Sequence, residues 1–158
     1  MSWQSDKRSS ESEVAVVEYL SRYFQATSYE RSRQPEYDVC FVLPHGSKRF
    51  CEIKTDFKAE HTGNIYLEIR NTCVNKPSGL TVTTADIWVH YVPYLKRLWG
   101  FDPKALLWYL QIHSQYRGSQ IWLSTPGSGD KNSQGYIVPL AKVMQWEWPI
   151  QIPIDIEV

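Results

Sequence analysis

The sequence predicts an α/β fold with a central mixed β-sheet flanked by α-helices. Three observations carry that expectation. Apolar residues recur at helical spacing between residues 10 and 25. Two runs rich in β-formers, separated by a short glycine turn, fill residues 37–55. After them, strand-like runs alternate with a segment that opens like a helix at Asp102-Pro103.

A chain of 158 residues has the length of one domain. One domain is therefore expected over 1–158, with a flexible start over about 1–9 and an extended tail over about 145–158. The hydrophobic share of 42% and charged share of 22% exclude a disordered, collagenous or coiled-coil chain. No apolar run approaches the ~18 residues that span a bilayer, and the opening MSWQSDKRSSESE has no apolar signal core. A cytoplasmic protein without membrane contact is expected. Lys plus Arg and Asp plus Glu balance at 17 each, so no global basic field holds nucleic acid. Any such contact must use local patches. The three cysteines lack zinc-site spacing, and Cys40 and Cys51 sit in apolar runs that suit buried thiols.

The first element is a helix from about Ser10 to Gln25, with Ser9, Ser10 or Ser12 as candidate caps. Val14, Val17, Leu20 and Phe24 form its apolar stripe, widened by Val16 and Tyr23. Glu13 falls on the same line, a carboxylate at the N-terminal end of a face meant for the core. Residues 26–36 read as a polar connection. Tyr37–Leu43 reads as a strand, Pro44-His45-Gly46-Ser47 as a turn, and Arg49–Thr55 as the returning antiparallel strand. A third strand is expected over Ile65–Arg70, a turn at Pro77-Ser78-Gly79, a short helix or turn near Thr84, and an apolar strand over Ile87–Val92 ended by Pro93. A helix follows from Asp102-Pro103 to about Tyr116. Then come a strand at Ile121–Ser124, a loop over Thr125–Gln134, a short strand at Gly135–Pro139 and a helical turn near Leu140–Met144.

Chemistry concentrates between Asp38 and Lys54. Side chains alternate along a strand, so Glu52 and Lys54 share one face and Ile53 the other. Asp38 opens the partner strand. Two carboxylates and a lysine can thus converge at one end of a hairpin. Such hard oxygen ligands suit Mg²⁺, which commonly takes one or two carboxylates and keeps several waters. A metal there acidifies bound water and polarises a phosphoryl oxygen, and Lys54 is suited to position that water or stabilise phosphoryl charge.

Asp38, thirteen intervening residues and then Glu52-Ile53-Lys54 on a hairpin resembles the PD-(D/E)XK nuclease superfamily, with its restriction-endonuclease-like core, over roughly residues 10–92. The resemblance implies that Asp38 and Glu52 hold Mg²⁺ or Mn²⁺, with the Ile53 carbonyl as a further ligand, and that Lys54 helps activate the attacking water. It also implies a glutamate on the helix before the first strand, a place that Glu13 fits, as catalytic group or metal ligand. Tyr37 stands where the family has proline, a position with no chemistry of its own. TGNIYLEI (62–69) and KPSGLTVTTADIWVHYV (76–92) are similar to small phage-type and resolvase-like members. In those, a third core strand follows the Glu-x-Lys strand.

The expected activity is metal-dependent hydrolysis of DNA phosphodiester bonds, by an endodeoxyribonuclease. The alternative is a catalytically inactive nuclease-fold protein that binds nucleic acid or a protein partner. A third reading makes Asp38, Glu52 and Lys54 an ion-paired solvent face, and Glu13 a carboxylate answering the helix dipole. DNA is the expected partner and a homodimer is considered, because cutting a duplex often takes two sites. Arg31, Arg33, Lys48, Arg49 and Lys58 cluster in sequence around the hairpin as a candidate phosphate track. Ser78, Thr83, Thr84 and Lys131 are further candidate nucleic-acid contacts, and Glu68 an added acid. His90 and His113 lie in apolar segments and read as structural.

Overall fold

The computed structural model describes residues 3–126, 132–147 and 151–152. They fall into two compact units. The first comprises 3–57 and 84–100, the second 58–83 and the described part of 101–152. An α/β architecture with a mixed sheet is present, as expected.

The first unit begins with helix α1, Trp3–Tyr23. It starts seven residues before the expected Ser10, so residues 3–9 are helical and the serines proposed as caps lie inside the helix. A Lys7–Glu11 ion pair one turn apart supports the added length. Val16, Val17 and Leu20 are buried, while Val14 and Tyr23 are 42% and 43% exposed. Helix geometry accounts for the difference. At about 100° per residue Val14 lies roughly 120° from Leu20, outside the stripe, and Tyr23 sits on its margin.

Strand β1, Ser28–Arg31, lies in the stretch expected to be a connection. All four of its residues are exposed, so it carries no apolar alternation to betray it. It pairs antiparallel with β2, Val39–Val42. β2 in turn pairs antiparallel with β3, Lys48–Thr55, with Val39 opposite Cys51 and Val42 opposite Lys48. The turn between them closes as expected, with Leu43 and Ser47 bonded and Gly46 at φ 79°. On its other side β3 pairs parallel with β6, Ile87–Val92, every residue of which is buried. Burial on both faces explains the apolar run in the sequence, interrupted at His90. β7, Arg97–Phe101, which the sequence did not betray, follows β6 in the sheet order. Trp88, Val89 and Trp99 with Val39, Phe41 and Cys51 make the core of this unit. Burial pushes the Cys51 thiol up to about 12, and all three cysteines are free. Cys40 and Cys51 are buried, as expected.

The second unit corrects one expectation. The strand placed at 65–70 is present as β4, Asn64–Asn71, but it does not adjoin the Glu-x-Lys strand. It pairs with β5, Lys76–Pro77, and with β9, Ser133–Pro139, in a separate sheet that β8, Trp122–Leu123, completes. Period-two alternation gives a strand's faces and is silent about its neighbours. Helix α2, Ala59–Thr62, precedes β4, and helix α3, Pro103–His113, opens on the expected cap. The Asp102 carboxylate accepts from the Lys104 and Ala105 amides at 2.9 and 3.1 Å. Helix α4, Leu140–Val143, forms where a helical turn was expected, and a two-residue strand β10, Gln151–Ile152, lies in the stretch expected to be an extended tail.

The turn at Pro77-Ser78-Gly79 leads into a 3-10 turn at Gly79–Thr81, a few residues before the place expected near Thr84. Gly79 has φ 52°, and a Cβ there would stand 2.3 Å from the Glu68 carbonyl oxygen. Gly79→Ala should therefore cost about 1–3 kcal/mol, from left-handed strain and overpacking together. A chemical denaturation midpoint equal to that of the wild-type chain would contradict this.

Candidate active site

The end of the β2–β3 pair nearest Asp38 gathers four groups that the sequence singled out. Asp38 stands immediately before Val39, the last β2 residue paired with β3, whose partner is Cys51. Its backbone is held on both sides: its N–H donates to Cys51 O at 2.9 Å, and its carbonyl accepts from Ser32 N–H at 2.8 Å. Its Oδ2 accepts the Ile53 N–H at 2.6 Å. The N–H and C=O of one strand residue face the same neighbour. The Ile53 carbonyl is therefore turned to the Asp38 side of β3.

Glu52 points to the face opposite Ile53 and is buried, with 9% of its side chain exposed. Lys54 Nζ donates to Glu52 Oε1 at 2.7 Å and lies 5.6 Å from the Trp88 ring centre. Parallel register puts Trp88 beside Glu52 and His90 beside Lys54. Burial raises the Glu52 carboxyl above its ordinary value. Lys54 pulls it back down by charge and hydrogen bond, while the charges of Asp38 and Glu13 push it further up.

That shift has a consequence for stability. Below the ordinary carboxyl range of ~4.3 both folded and unfolded chains hold the Glu52 proton. As pH rises to and through the higher folded value, ionising Glu52 costs stability relative to the unfolded chain. Glu52→Gln stays neutral throughout. It should melt above the wild type at neutral pH, with the gap closing as acid is added. A lower melting temperature for Glu52→Gln at neutral pH would show that the Lys54 pair outweighs burial.

Glu13 lies on α1, a helix that packs on β3. It is partly buried and forms an ion pair with Arg31, at the end of β1 opposite Val39. The pairing takes up one cation of the proposed phosphate track. Lys48 and Arg49 do not stand beside the acids. They occupy the turn end of β3, three or four residues from Glu52, or about 10–13 Å along an extended strand. Closeness in sequence is distance in a strand. Arg33 is exposed beyond β1. Thr84 is exposed, and its amide is bonded to Glu36 O at 3.1 Å.

Lys58, Ser78, Thr83 and Glu68 belong to the second unit. Ser78 donates its hydroxyl to Glu68 at 2.5 Å, and the Thr83 amide donates to Gly79 O. Lys131 lies outside the described residues. One pair went unread in the sequence: Asp56 Oδ2 stands 3.3 Å from Nε2 of His90, which is 1% exposed. Alternation along 52, 54 and 56 was the signal that could have found it.

Two carboxylates and a backbone carbonyl are a donor set that Mg²⁺ accepts when waters complete its shell. Among the described residues no three His, Cys, Asp or Glu side chains are gathered around one point closely enough to hold an ion. A cation site here would have to rest on Asp38 and Glu52, whose charges interact, with Ile53 O as a third protein oxygen. Among the described residues no helix is long and apolar enough to cross a membrane. Comparison of the chain with family models, curated proteins and solved structures found no match.

Proposed function

We propose that this chain is a Mg²⁺- or Mn²⁺-dependent endodeoxyribonuclease whose first unit is a restriction-endonuclease-like core. The observation that carries the reading is the convergence of Asp38, Glu52, the Ile53 backbone and Lys54 at one end of a strand pair. An acidic group buried at a cost to itself, beside a second acid and a lysine, is the kind of arrangement found at functional sites. Asp38 and Glu52 would hold the cation. Bound there, the cation supplies an acidified water and a polarised phosphoryl oxygen. Asp38 is fixed for this by three hydrogen bonds, so little order is lost on binding. Lys54 orients the attacking water and offers positive charge to the phosphoryl oxygens. Glu13 tunes the charge of the site from α1, and Arg31 is the track cation nearest to it.

The Lys54–Glu52 pair favours a second reading, an inactive nuclease fold that keeps these charges as an ion pair and binds DNA or a protein. Incubation with supercoiled, linear, branched and single-stranded DNA separates the two. The enzyme nicks or cuts at least one substrate with Mg²⁺ or Mn²⁺ and none with EDTA. Absence of metal-dependent cleavage on all four overturns the enzyme reading. Size measurement with and without duplex DNA tests whether two copies assemble.

Glu13→Gln checks the helix contribution. It keeps the side chain's shape and removes its charge. The rate at low Mg²⁺ should fall by about threefold to tenfold and recover as Mg²⁺ is raised, because a charge acting at a distance changes affinity more than turnover. A rate unchanged across the titration would leave Glu13 as the partner of Arg31 alone.

A further inference from the structure

Helix α3 of the second unit carries an exposed aromatic strip that the mechanism above does not use. Lys104, Trp108 and Gln111 lie on its solvent face, and Trp108 is 65% exposed. One exposed apolar side chain is ordinary on a protein surface. This one has neighbours. At about 100° per residue, Ile112 falls about 40° from Trp108, Ala105 about 60° and Tyr109 about 100°. Half-buried Ala105 and Ile112 therefore form a shallow floor with Trp108 on one side and Tyr109 on the other. The Tyr109 side is a ladder of rings. His113 stacks on Tyr109 with centroids 3.9 Å apart and planes 27° apart, and Tyr116 follows edge-on at 6.1 Å from His113. Buried Trp146 meets Tyr109 edge-on at 5.3 Å and holds the first ring of the ladder in place. Tyr116 ends the ladder 62% exposed.

Charge narrows what such a strip can take. Residues 103–126 contain no Asp or Glu, although the whole chain has as many acids as bases. Asp102, just before them, is engaged as the helix cap by the Lys104 and Ala105 amides. Lys104 lies at the start of the strip and Arg117 just beyond Tyr116, both exposed. Flat rings flanked by cations complement a polyanion that also presents flat faces. Duplex DNA offers its phosphates but keeps its base faces stacked inside. A single strand offers both, and stacking tolerates any base because each has a π-face. A second copy of the same strip would bring these cations no anion.

We propose that the α3 strip is a binding surface for single-stranded DNA, with Trp108 and Tyr116 stacking on unpaired bases and Lys104 and Arg117 meeting the phosphates beside them. The choice of DNA as the polyanion rests on the reading of the first unit as a deoxyribonuclease. The proposal deepens that reading by naming the substrate class: DNA with an unpaired stretch, single-stranded or at a branch.

The test is fluorescence anisotropy with the whole chain in EDTA, so that binding is read without cleavage. The probe is a fluorescein-labelled mixed-sequence DNA strand of about 20 nucleotides, alone or annealed to its complement. Wild type should bind the single strand about tenfold tighter than the duplex. Trp108→Ala and Tyr116→Ala should each weaken single-strand binding by about tenfold and change duplex binding by less than about threefold, while Trp108→Phe stays within about threefold of wild type. Lys104→Ala with Arg117→Ala should flatten the slope of log affinity against log salt by about 1.4 for the single strand. Both aromatic residues are exposed, so melting temperatures should match wild type; if one variant melts early, the other and Trp108→Phe decide. Several outcomes overturn the proposal. They are wild type that binds no single strand or prefers the duplex, aromatic variants that bind like wild type, and equal weakening for both probes. Two more name another occupant: tighter binding of the same sequence as RNA by about tenfold or more, or a dimer that Trp108→Ala turns into a monomer with single-strand affinity unchanged. Failure of the nuclease reading looks different. It is absence of metal-dependent cleavage while single-strand binding still depends on Trp108, and it leaves the strip standing as a binding surface.

Discussion

Glu52→Ala and Asp38→Ala should each lower Mg²⁺-dependent cleavage by about a thousandfold or more, since each deletes one of two carboxylates that would hold the cation. The two variants should differ in stability, and that difference makes the result readable. Glu52 is buried and its ionised form is disfavoured there, so removing it relieves a cost and leaves Lys54 half-exposed to water. The fold should survive with its melting temperature held or raised. Asp38 accepts the Ile53 N–H at 2.6 Å, and its loss strands that donor. About 1–3 kcal/mol of stability should go with it. Cleavage and thermal melts on both variants check the pair of expectations. Wild-type cleavage in Mg²⁺ by either one would mean that the ion is held elsewhere.

Lys54→Ala should reduce turnover by about a hundredfold to a thousandfold while Mn²⁺ still binds. A protonated lysine offers no lone pair to a metal, so the contribution proposed for it is to the water and the phosphoryl charge. The ion pair that it leaves behind is half in water on the lysine side, with 43% of that side chain exposed. Its loss should cost no more than about 1 kcal/mol. A purely structural pair gives the opposite pattern, a lower melting temperature with cleavage untouched. Measuring turnover, Mn²⁺ affinity and melting on this one variant separates the outcomes, and destabilisation at full activity would remove Lys54 from the chemistry.

The hairpin was legible because every cue agreed. β-formers fill both strands, a proline and a glycine mark the turn between them, and the acids fall where alternation predicts. The α3 cap was legible for a similar reason, since Asp-Pro leaves few other readings. β1 was hidden because an exposed edge strand tolerates any polar residue, so SYER looks like a loop. The partner of β3 was hidden more deeply. Both β4 and β6 carry strand patterns, and only tertiary pairing decides that Ile87, not Ile65, lies beside the Glu-x-Lys strand. Lys48 and Arg49 were misplaced by counting residues instead of ångströms. His90 was read as a structural residue of an apolar segment, and it is buried there; its contact with Asp56 was offered by alternation along 52, 54 and 56 but went unread.

The pairing of β3 with β6 also sets the order in which the molecule can be built. Cys51 meets Ile87 only after the intervening residues have left to contribute to the second unit and returned. A nascent chain that has emerged as far as Thr55 already carries Glu13, Asp38, Glu52 and Lys54. It still lacks Trp88 and His90, the floor on which Lys54 and Asp56 rest. Closing that distant contact is the entropically slow step of a parallel pairing. Assembly of the site therefore waits on late chain growth, and the ribosome-bound intermediate holds its acids without the platform that places them.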